Sequence, residues 1–130
     1  MYIIEKELEV SGGHCLRLPY ESKCRNKHGH NWLIKVQIKG ECLQEESKML
    51  LDFVHIKEVV MQLDHDDLNS FFGDDFNPTA ENIANWIAYQ INLRIIEEWK
   101  NENPSKKRPF VSKVEIEESK GNKACYLPTE

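Results

Sequence analysis

The chain begins with a segment in which apolar and charged side chains alternate. Over residues 2–10 the even positions are apolar apart from Lys6, and the odd positions carry three glutamates. A period of two is typical of a half-buried β-strand. A second run places four large apolar side chains on one face: Trp32, Ile34, Val36 and Ile38. We predict that the two runs pair as antiparallel strands, joined by a loop over residues 11–27 that is rich in glycine, proline and polar residues.

Two later segments have apolar residues at helical spacing. The first begins after Asp52, a residue type that caps helix N-termini, and ends near an acidic turn at residues 64–67. The second begins after Thr79, another capping residue, and Pro104 closes it. The apolar stripes consist of Phe53, Ile56, Val59, Val60 and Leu63 in the first segment and of Ile83, Trp86, Ile87, Ile91 and Ile95 in the second.

The last part of the chain predicts a β-hairpin. Val114 and Ile116 alternate with glutamates, Gly121 and Asn122 form a turn, and residues 124–127 return as the partner strand. The predicted order is therefore ββααββ. This order favours an α+β fold with two helices on one face of an antiparallel sheet. At this length we expect a single domain over residues 1–130.

Composition narrows the classes of protein that the chain can belong to. Seventeen basic and 22 acidic residues give a formal charge of −5, the wrong sign for a protein that coats nucleic acid. Apolar runs are too short for a membrane span or a signal peptide. The four cysteines have irregular spacing and form no CxxC pair, which indicates a reducing compartment. We therefore expect a cytoplasmic protein without a nucleic-acid or membrane partner.

Two histidines lead directly into the second strand, with one glycine between them. His28 and His30 lie at i and i+2, so they share a face, which by parity is the face of Trp32 and Ile34. His14, at the end of the first strand, is the natural third ligand of a metal site. Three neutral imidazoles and one open position are typical of catalytic zinc. The alternative is a turn whose histidines face solvent.

One cysteine lies in basic surroundings. Cys24 comes four residues before His28, and its neighbours are Lys23, Arg25 and Lys27. Nearby cations favour the thiolate, which can act as a nucleophile or as a base. The same cations could bind phosphate. The alternatives are a cysteine that only packs and a basic loop that is solvated.

Three further ionisable residues are candidates for chemistry. In Asp64-His65 a carboxylate could orient an imidazole for proton transfer, although adjacent side chains need not contact one another. Glu118 shares the strand parity of Val114 and Ile116, which turns a carboxylate inward, where an unpaired charge costs several kcal/mol. A flat heterocycle with two adjacent N–H donors, such as a pterin or guanine, would pair with it. The alternative is a strand that twists outward and leaves Glu118 in solvent.

Taken together, these motifs resemble the 6-pyruvoyltetrahydropterin synthase / 6-carboxytetrahydropterin synthase family. They follow the family's order over nearly the whole chain: His14, Cys24-x-x-x-His28-Gly29-His30, Asp52-Phe53, Leu63-Asp64-His65-x-x-Leu68-Asn69, Pro78-Thr79-x-Glu81-Asn82, Glu118-Ser119 and Tyr126. The resemblance implies a T-fold, in which trimers of ββααββ subunits form a barrel and two trimers stack into a hexamer. It also implies a homo-oligomer with active sites at subunit interfaces.

The resemblance further implies a role for each candidate residue. These roles are Zn²⁺ binding by His14, His28 and His30, proton abstraction by Cys24, proton relay by Asp64 and His65, and pterin contacts from Glu118 and Thr79. The implied substrate is 7,8-dihydroneopterin triphosphate, from which triphosphate is eliminated. The carboxy-forming enzymes of queuosine biosynthesis also release acetaldehyde and yield 6-carboxy-5,6,7,8-tetrahydropterin, whereas the pyruvoyl-forming enzymes keep the side chain.

The compact length and the close spacing of Cys24 and His28 resemble the carboxy-forming branch more closely. The alternatives are the pyruvoyl-forming reaction and a T-fold module that binds a pterin or purine without turnover. A subgroup active in folate synthesis has a glutamate in place of this cysteine, so Cys24 argues against it. One stretch departs from the family pattern Phe-x-Ala-Ala-His, because residues 10–14 read Val-Ser-Gly-Gly-His. Glycine loosens the backbone there, and valine supplies no ring packing.

Overall fold

A computed structural model describes residues 1–129 of the chain. It contains a five-stranded sheet in the order β3-β1-β2-β4-β5, with three α-helices. The elements are β1 (Tyr2–His14), β2 (His28–Gly40), α1 (Phe53–Met61), β3 (Asp66–Asp67), α2 (Leu68–Phe72), α3 (Ala80–Trp99), β4 (Phe110–Ser119) and β5 (Asn122–Tyr126), with a 3₁₀ turn at Lys23–Arg25 between β1 and β2. The predicted α+β class is confirmed.

The long β1–β2 ladder organises the sheet. Both strands have 13 residues, and they pair antiparallel from Tyr2 opposite Gly40 to His14 opposite His28. The predicted pairing is confirmed, but the prediction that the loop begins at residue 11 is wrong. The backbone stays paired through Gly12 and the following glycine, because a residue in an extended conformation needs no side chain to form ladder hydrogen bonds. The extension carries His14 into the sheet.

The core lies between the helices and one face of the sheet. Helix α3 packs against β4 and β5, and α1 packs against α3 and β1. The largest fully buried side chains are Trp32, Ile34, Ile38, Leu50, Ile56, Leu63, Leu68, Ile83, Ile87, Ile91, Ile95 and Ile116. Within residues 1–129, no helix combines the length and the apolar character needed to cross a membrane.

The helix boundaries follow capping chemistry. The side chain of Asp52 accepts a hydrogen bond from the Val54 amide at 3.0 Å, and that of Thr79 accepts one from the Asn82 amide at 3.1 Å. Both predicted N-caps are therefore confirmed. Helix α3 ends at Trp99, five residues before the proline that was expected to close it.

The acidic segment after α1 is more ordered than the sequence pattern predicts. Asp66 and Asp67 form β3, which pairs in parallel with Gly12 and Gly13, and α2 follows immediately. The sheet is therefore not wholly antiparallel, and the order ββααββ omits two short elements. The predicted C-terminal hairpin is confirmed, with Gly121 at a φ of 86° in the turn between β4 and β5. Asn122 was predicted in the turn, but it pairs with Ser119 as the first residue of β5, which ends at Tyr126.

Candidate metal and catalytic site

Three imidazoles meet on the core side of the sheet. His14 ends β1 directly opposite His28, the first residue of β2, and His30 follows two residues later on the same face. The ring centroids lie 4.5 Å apart for His14 and His28, 5.1 Å for His14 and His30, and 4.7 Å for His28 and His30. The structure therefore brings the three predicted histidines together, rather than leaving them on a solvent-facing turn.

Two backbone carbonyls set the tautomers of these rings. The Nδ1 atom of His14 donates to the carbonyl of Pro78 at 2.7 Å, and Nδ1 of His28 donates to the carbonyl of Asn26 at 2.8 Å. A carbonyl oxygen can only accept, so each Nδ1 carries the hydrogen and each Nε2 keeps a lone pair. A carbonyl in this place is a common outer partner of a metal-binding histidine.

Two ring nitrogens in this cluster are buried without a hydrogen bond. They are Nε2 of His14 and Nε2 of His30. The Oε1 atom of Glu118 lies 3.2 Å from the first and 2.9 Å from the second. The ligand atoms of the three histidines and Glu118 all lie within 4.8 Å of one another. These residues can therefore hold a metal ion.

The electrostatics of the cluster favour neutral imidazoles. Burial lowers the pKa of His14 and of His30, and this effect outweighs the opposing influence of the Glu118 carboxylate. A neutral imidazole is the form that binds a metal. Nitrogen donors with one carboxylate oxygen are a set that zinc accepts, so the residues present fit that ion.

Trp32 forms one wall of this site, and sequence reasoning had placed it only in the apolar face. Its ring packs edge to face against His14 at 4.9 Å and against His30 at 5.2 Å between centroids. Its indole nitrogen donates to the carbonyl of Gly12 at 3.1 Å. The signal was present in the sequence, because Trp32 has the parity of His30.

The structure places Cys24 outside the four-residue cluster, in the 3₁₀ turn that precedes β2. The side chain is half-buried. The Cys24 amide donates to the Ser22 hydroxyl at 3.2 Å, and the Cys24 carbonyl accepts from the Leu16 amide at 2.6 Å. Two of the basic neighbours are paired with carboxylates, Arg25 with Glu21 and Lys27 with Asp67.

Asp64 and His65 contact each other beside β1. Oδ2 of Asp64 lies 3.5 Å from Nε2 of His65, whose side chain is 82% exposed. Oδ1 of Asp64 accepts from the Ser11 amide at 2.9 Å, and the His65 amide donates to the Ser11 carbonyl at 2.5 Å. His65 has a φ of 58°, a left-handed conformation that is uncommon outside glycine. A pocket of about 410 Å³ is lined by both His30 and His65.

Thr79 lies next to Pro78, the residue that contacts the site. Its hydroxyl caps α3, while the adjacent Pro78 supplies the carbonyl that orients His14. The carbonyls of Pro78 and Asn26 were missed by sequence reasoning, because nothing in a sequence shows which carbonyl a ring nitrogen will contact. The cap at Thr79 thus fixes the start of α3 next to the imidazoles.

The chain also resembles known proteins along almost its full length. The model of the family described as 6-pyruvoyl tetrahydropterin synthase matches residues 3–129. A putative 6-carboxy-5,6,7,8-tetrahydropterin synthase from Pyrococcus horikoshii is 46% identical over 68 residues, which span 49% of this chain and only 42% of that relative. A 6-carboxy-5,6,7,8-tetrahydropterin synthase from Synechocystis is 38% identical over 96 residues, or 67% of this chain and 72% of the relative.

The comparison with solved structures leads to the same family. The structure of 6-pyruvoyl tetrahydropterin synthase from Caenorhabditis elegans superposes with a TM-score of 0.70 at 27% identity, covering 98% of this chain and 96% of that one. Since the family pattern extends from β1 to the residues after β5 and the backbone agrees over the same span, the chain belongs to the 6-pyruvoyl tetrahydropterin synthase family.

Proposed function

We propose that the protein is a zinc-dependent 6-carboxy-5,6,7,8-tetrahydropterin synthase that acts on 7,8-dihydroneopterin triphosphate. The observation that carries this proposal is the convergence of His14, His28 and His30, with two buried Nε2 atoms that lack hydrogen bonds. The names of the Pyrococcus and Synechocystis relatives support the carboxy-forming branch. The product would serve queuosine biosynthesis.

In this proposal the three histidines hold Zn²⁺. Bound zinc supplies Lewis-acid polarisation of a substrate side-chain oxygen, which makes the neighbouring protons easier to remove. The carbonyls of Pro78 and Asn26 hold two of the rings through Nδ1, which leaves the lone pair on Nε2. Trp32 covers the rings from the core side and limits access of water there.

The remaining residues bind substrate and move protons. Cys24 acts as the base, and His65, oriented by Asp64, relays the proton. The Glu118 carboxylate accepts hydrogen bonds from two N–H groups of the pterin ring. Thr79 adds contacts to the same ring. Elimination then releases triphosphate, and cleavage of the side chain releases acetaldehyde.

The proposed assembly is a homo-oligomer of three or six chains with active sites at subunit interfaces. The exposed ring of His65 supports this arrangement, because a relay residue needs cover that one chain does not supply. Native mass spectrometry tests the assembly, and metal analysis of the same sample tests for one zinc per chain. A monomer with stoichiometric zinc would contradict the interface part of the proposal.

The pyruvoyl-forming reaction is the second candidate, because the Caenorhabditis elegans neighbour bears that name. Incubating zinc-loaded protein with dihydroneopterin triphosphate and identifying products by mass spectrometry separates the two. Acetaldehyde together with 6-carboxytetrahydropterin supports the proposal. A product that retains the side chain supports the sister reaction. Substrate that is bound and recovered unchanged indicates a binding module.

Replacing Cys24 by alanine tests the role of the thiol. Cys24→Ala is expected to bind one zinc per chain and to release no triphosphate, because the base is lost while the histidines remain. Cys125→Ala is the matched control, since Cys125 is exposed on β5, and its turnover should equal that of the wild type. Unimpaired triphosphate release by Cys24→Ala would remove the assigned role.

A further inference from the structure

The segment after α1 runs alongside the end of β1 and hydrogen-bonds to it residue by residue. Asp64 and His65 both bond to Ser11, and β3 then pairs with the two glycines that follow. In the same parallel register the next partners would be His14 with Leu68 and Cys15 with Asn69. Helix α2 begins at Leu68, however, so the backbone turns away and leaves the amide and carbonyl of Cys15 without a ladder partner from this segment.

The side chain of Asn69 takes the place of the missing backbone. Its Oδ1 accepts from the Cys15 amide at 2.8 Å, and its Nδ2 donates to the Cys15 carbonyl at 2.9 Å. A primary amide offers a donor and an acceptor in the same arrangement as a peptide group. Asn69 is itself fixed in α2, where its amide donates to Asp67 and its carbonyl accepts from the Gly73 amide. Residue 15 is therefore clamped to α2 by two hydrogen bonds.

The two hydrogen bonds between Asn69 and Cys15, called the clamp below, lie next to a contact with Cys24. The residue after Cys15 is Leu16, and its amide donates to the Cys24 carbonyl at 2.6 Å. Displacing Cys15 would move the Leu16 amide and, with it, the turn that carries the thiol. We propose that Asn69 is a positioning residue that holds the turn carrying the Cys24 thiol in its place. This inference rests on the proposed function, in which Cys24 is the base.

The chain offers a matched control in Asn77. Its side chain makes the same two bonds with Arg17, accepting from the amide and donating to the carbonyl, both at 3.0 Å. Arg17 lies in the same segment as Cys15 but on the far side of Leu16. Asn77→Ala therefore removes two equivalent hydrogen bonds from the same segment. It leaves the bonds between Asn69 and Cys15, whose carbonyl is in the same peptide group as the Leu16 amide.

The test compares Asn69→Ala, Asn69→Asp and Asn77→Ala as zinc-loaded proteins. Alkylation of Cys24 by iodoacetamide is followed by peptide mass mapping, which separates it from the other three cysteines. Asn69→Ala is expected to raise the Cys24 alkylation rate about fivefold or more, the effect of losing at least one hydrogen bond. With dihydroneopterin triphosphate, kcat should fall roughly 10- to 100-fold while KM and zinc content stay near wild type, as for a displaced reacting group. Asn77→Ala should change each value by less than about twofold, because its clamp holds the backbone after Leu16 and not the peptide group that contains the Leu16 amide.

Each outcome of this comparison either supports or contradicts the positioning role of Asn69. Equal effects of Asn69→Ala and Asn77→Ala on Cys24 alkylation would overturn it, as would loss of zinc from Asn69→Ala with Cys24 alkylation unchanged. Should Asn69→Ala fail to fold, Asn69→Asp keeps the size and the acceptor but loses the donor, and faster Cys24 alkylation in this variant supports the inference. If wild-type protein does not turn over the substrate, the proposed function fails, whereas the alkylation comparison still decides whether Asn69 positions Cys24.

Discussion

The two ends of the β1–β2 ladder have the same backbone and opposite chemistry. The apolar end, defined by Ile34, Val36 and Ile38, presents fully buried carbon side chains to the helices. The imidazole end, defined by the three histidines at positions 14, 28 and 30, presents nitrogen atoms to the same side of the sheet. Strand parity therefore places candidate ligands as reliably as it places core residues.

The two ends differ in whether their buried groups are satisfied. Carbon side chains at the apolar end need only packing, and they have it. At the imidazole end two buried ring nitrogens lack a hydrogen bond and have the Glu118 carboxylate as their neighbour. A fold tolerates such groups where a ligand pairs with them. The contrast teaches that the unsatisfied groups, rather than the motif alone, mark where a metal ion can bind.

The largest effect is expected from breaking the imidazole end. His30→Ala removes one of the two unsatisfied nitrogens, so zinc affinity should fall at least about 100-fold and turnover should be lost. Zinc competition with a chromogenic chelator measures the affinity. Asn31→Ala is the control. Asn31 is the next residue along β2, and its side chain lies on the other face and hydrogen-bonds to Ser11. Full zinc binding by His30→Ala would show that this ring is not a ligand.

Breaking the apolar end should act on stability instead. Ile38 is completely buried in β2, and Ile38→Ala is expected to lower the free energy of unfolding by about 2–5 kcal/mol. Urea denaturation measures this loss. At temperatures where the variant is folded it should still bind one zinc per chain. A parallel loss of zinc in the folded variant would mean that the two ends are not independent.

The helix caps sharpen the comparison, because one lies near each end. Asp52 lies two residues after Leu50, whose side chain lies beside Gly40 at the apolar end, whereas Thr79 directly follows Pro78, whose carbonyl accepts a hydrogen bond from His14. Removing either cap with Asp52→Ala or Thr79→Ala should cost about 1 kcal/mol of stability. Only Thr79→Ala should also raise KM for the pterin substrate. Equal KM values in both variants would restrict Thr79 to capping.

The smallest effect is expected at Gly12. A Cβ added at Gly12 would lie 3.4 Å from the Leu63 carbonyl oxygen and 3.5 Å from Leu68, which is ordinary contact, so Gly12→Ala should raise stability by about 0.4–1 kcal/mol. Gly40→Ala is the contrasting change, because its Cβ would lie 2.7 Å from Leu50 and should destabilise. Thermal unfolding measures both. Destabilisation by Gly12→Ala would show that this end of β1 needs glycine.

The sequence predicted the parts of the fold that have a local signal. Alternation identified β1 and β2, and the capping residues Asp52 and Thr79 identified where α1 and α3 begin. The histidine cluster could be predicted because strand parity and pairing together determine which rings meet. These features depend on short-range rules that a sequence displays directly.

The elements that were missed depend on distant partners. The two residues of β3 are a strand only because Gly12 and Gly13, more than fifty positions earlier, lie beside them. In isolation, an acidic stretch of this kind is typical of a turn. The double hydrogen bonds of Asn69 and Asn77 to distant backbone have the same character, because an asparagine in a sequence does not show which peptide it will contact.

The left-handed backbone of His65 has an evolutionary consequence. Glycine adopts this conformation freely, whereas most other residues pay of order 1–2 kcal/mol for it. Selection for thermal robustness alone would therefore replace this histidine with glycine, and an unbiased screen for heat-tolerant variants should find that exchange. A chain that keeps the imidazole at this position therefore has a less stable fold.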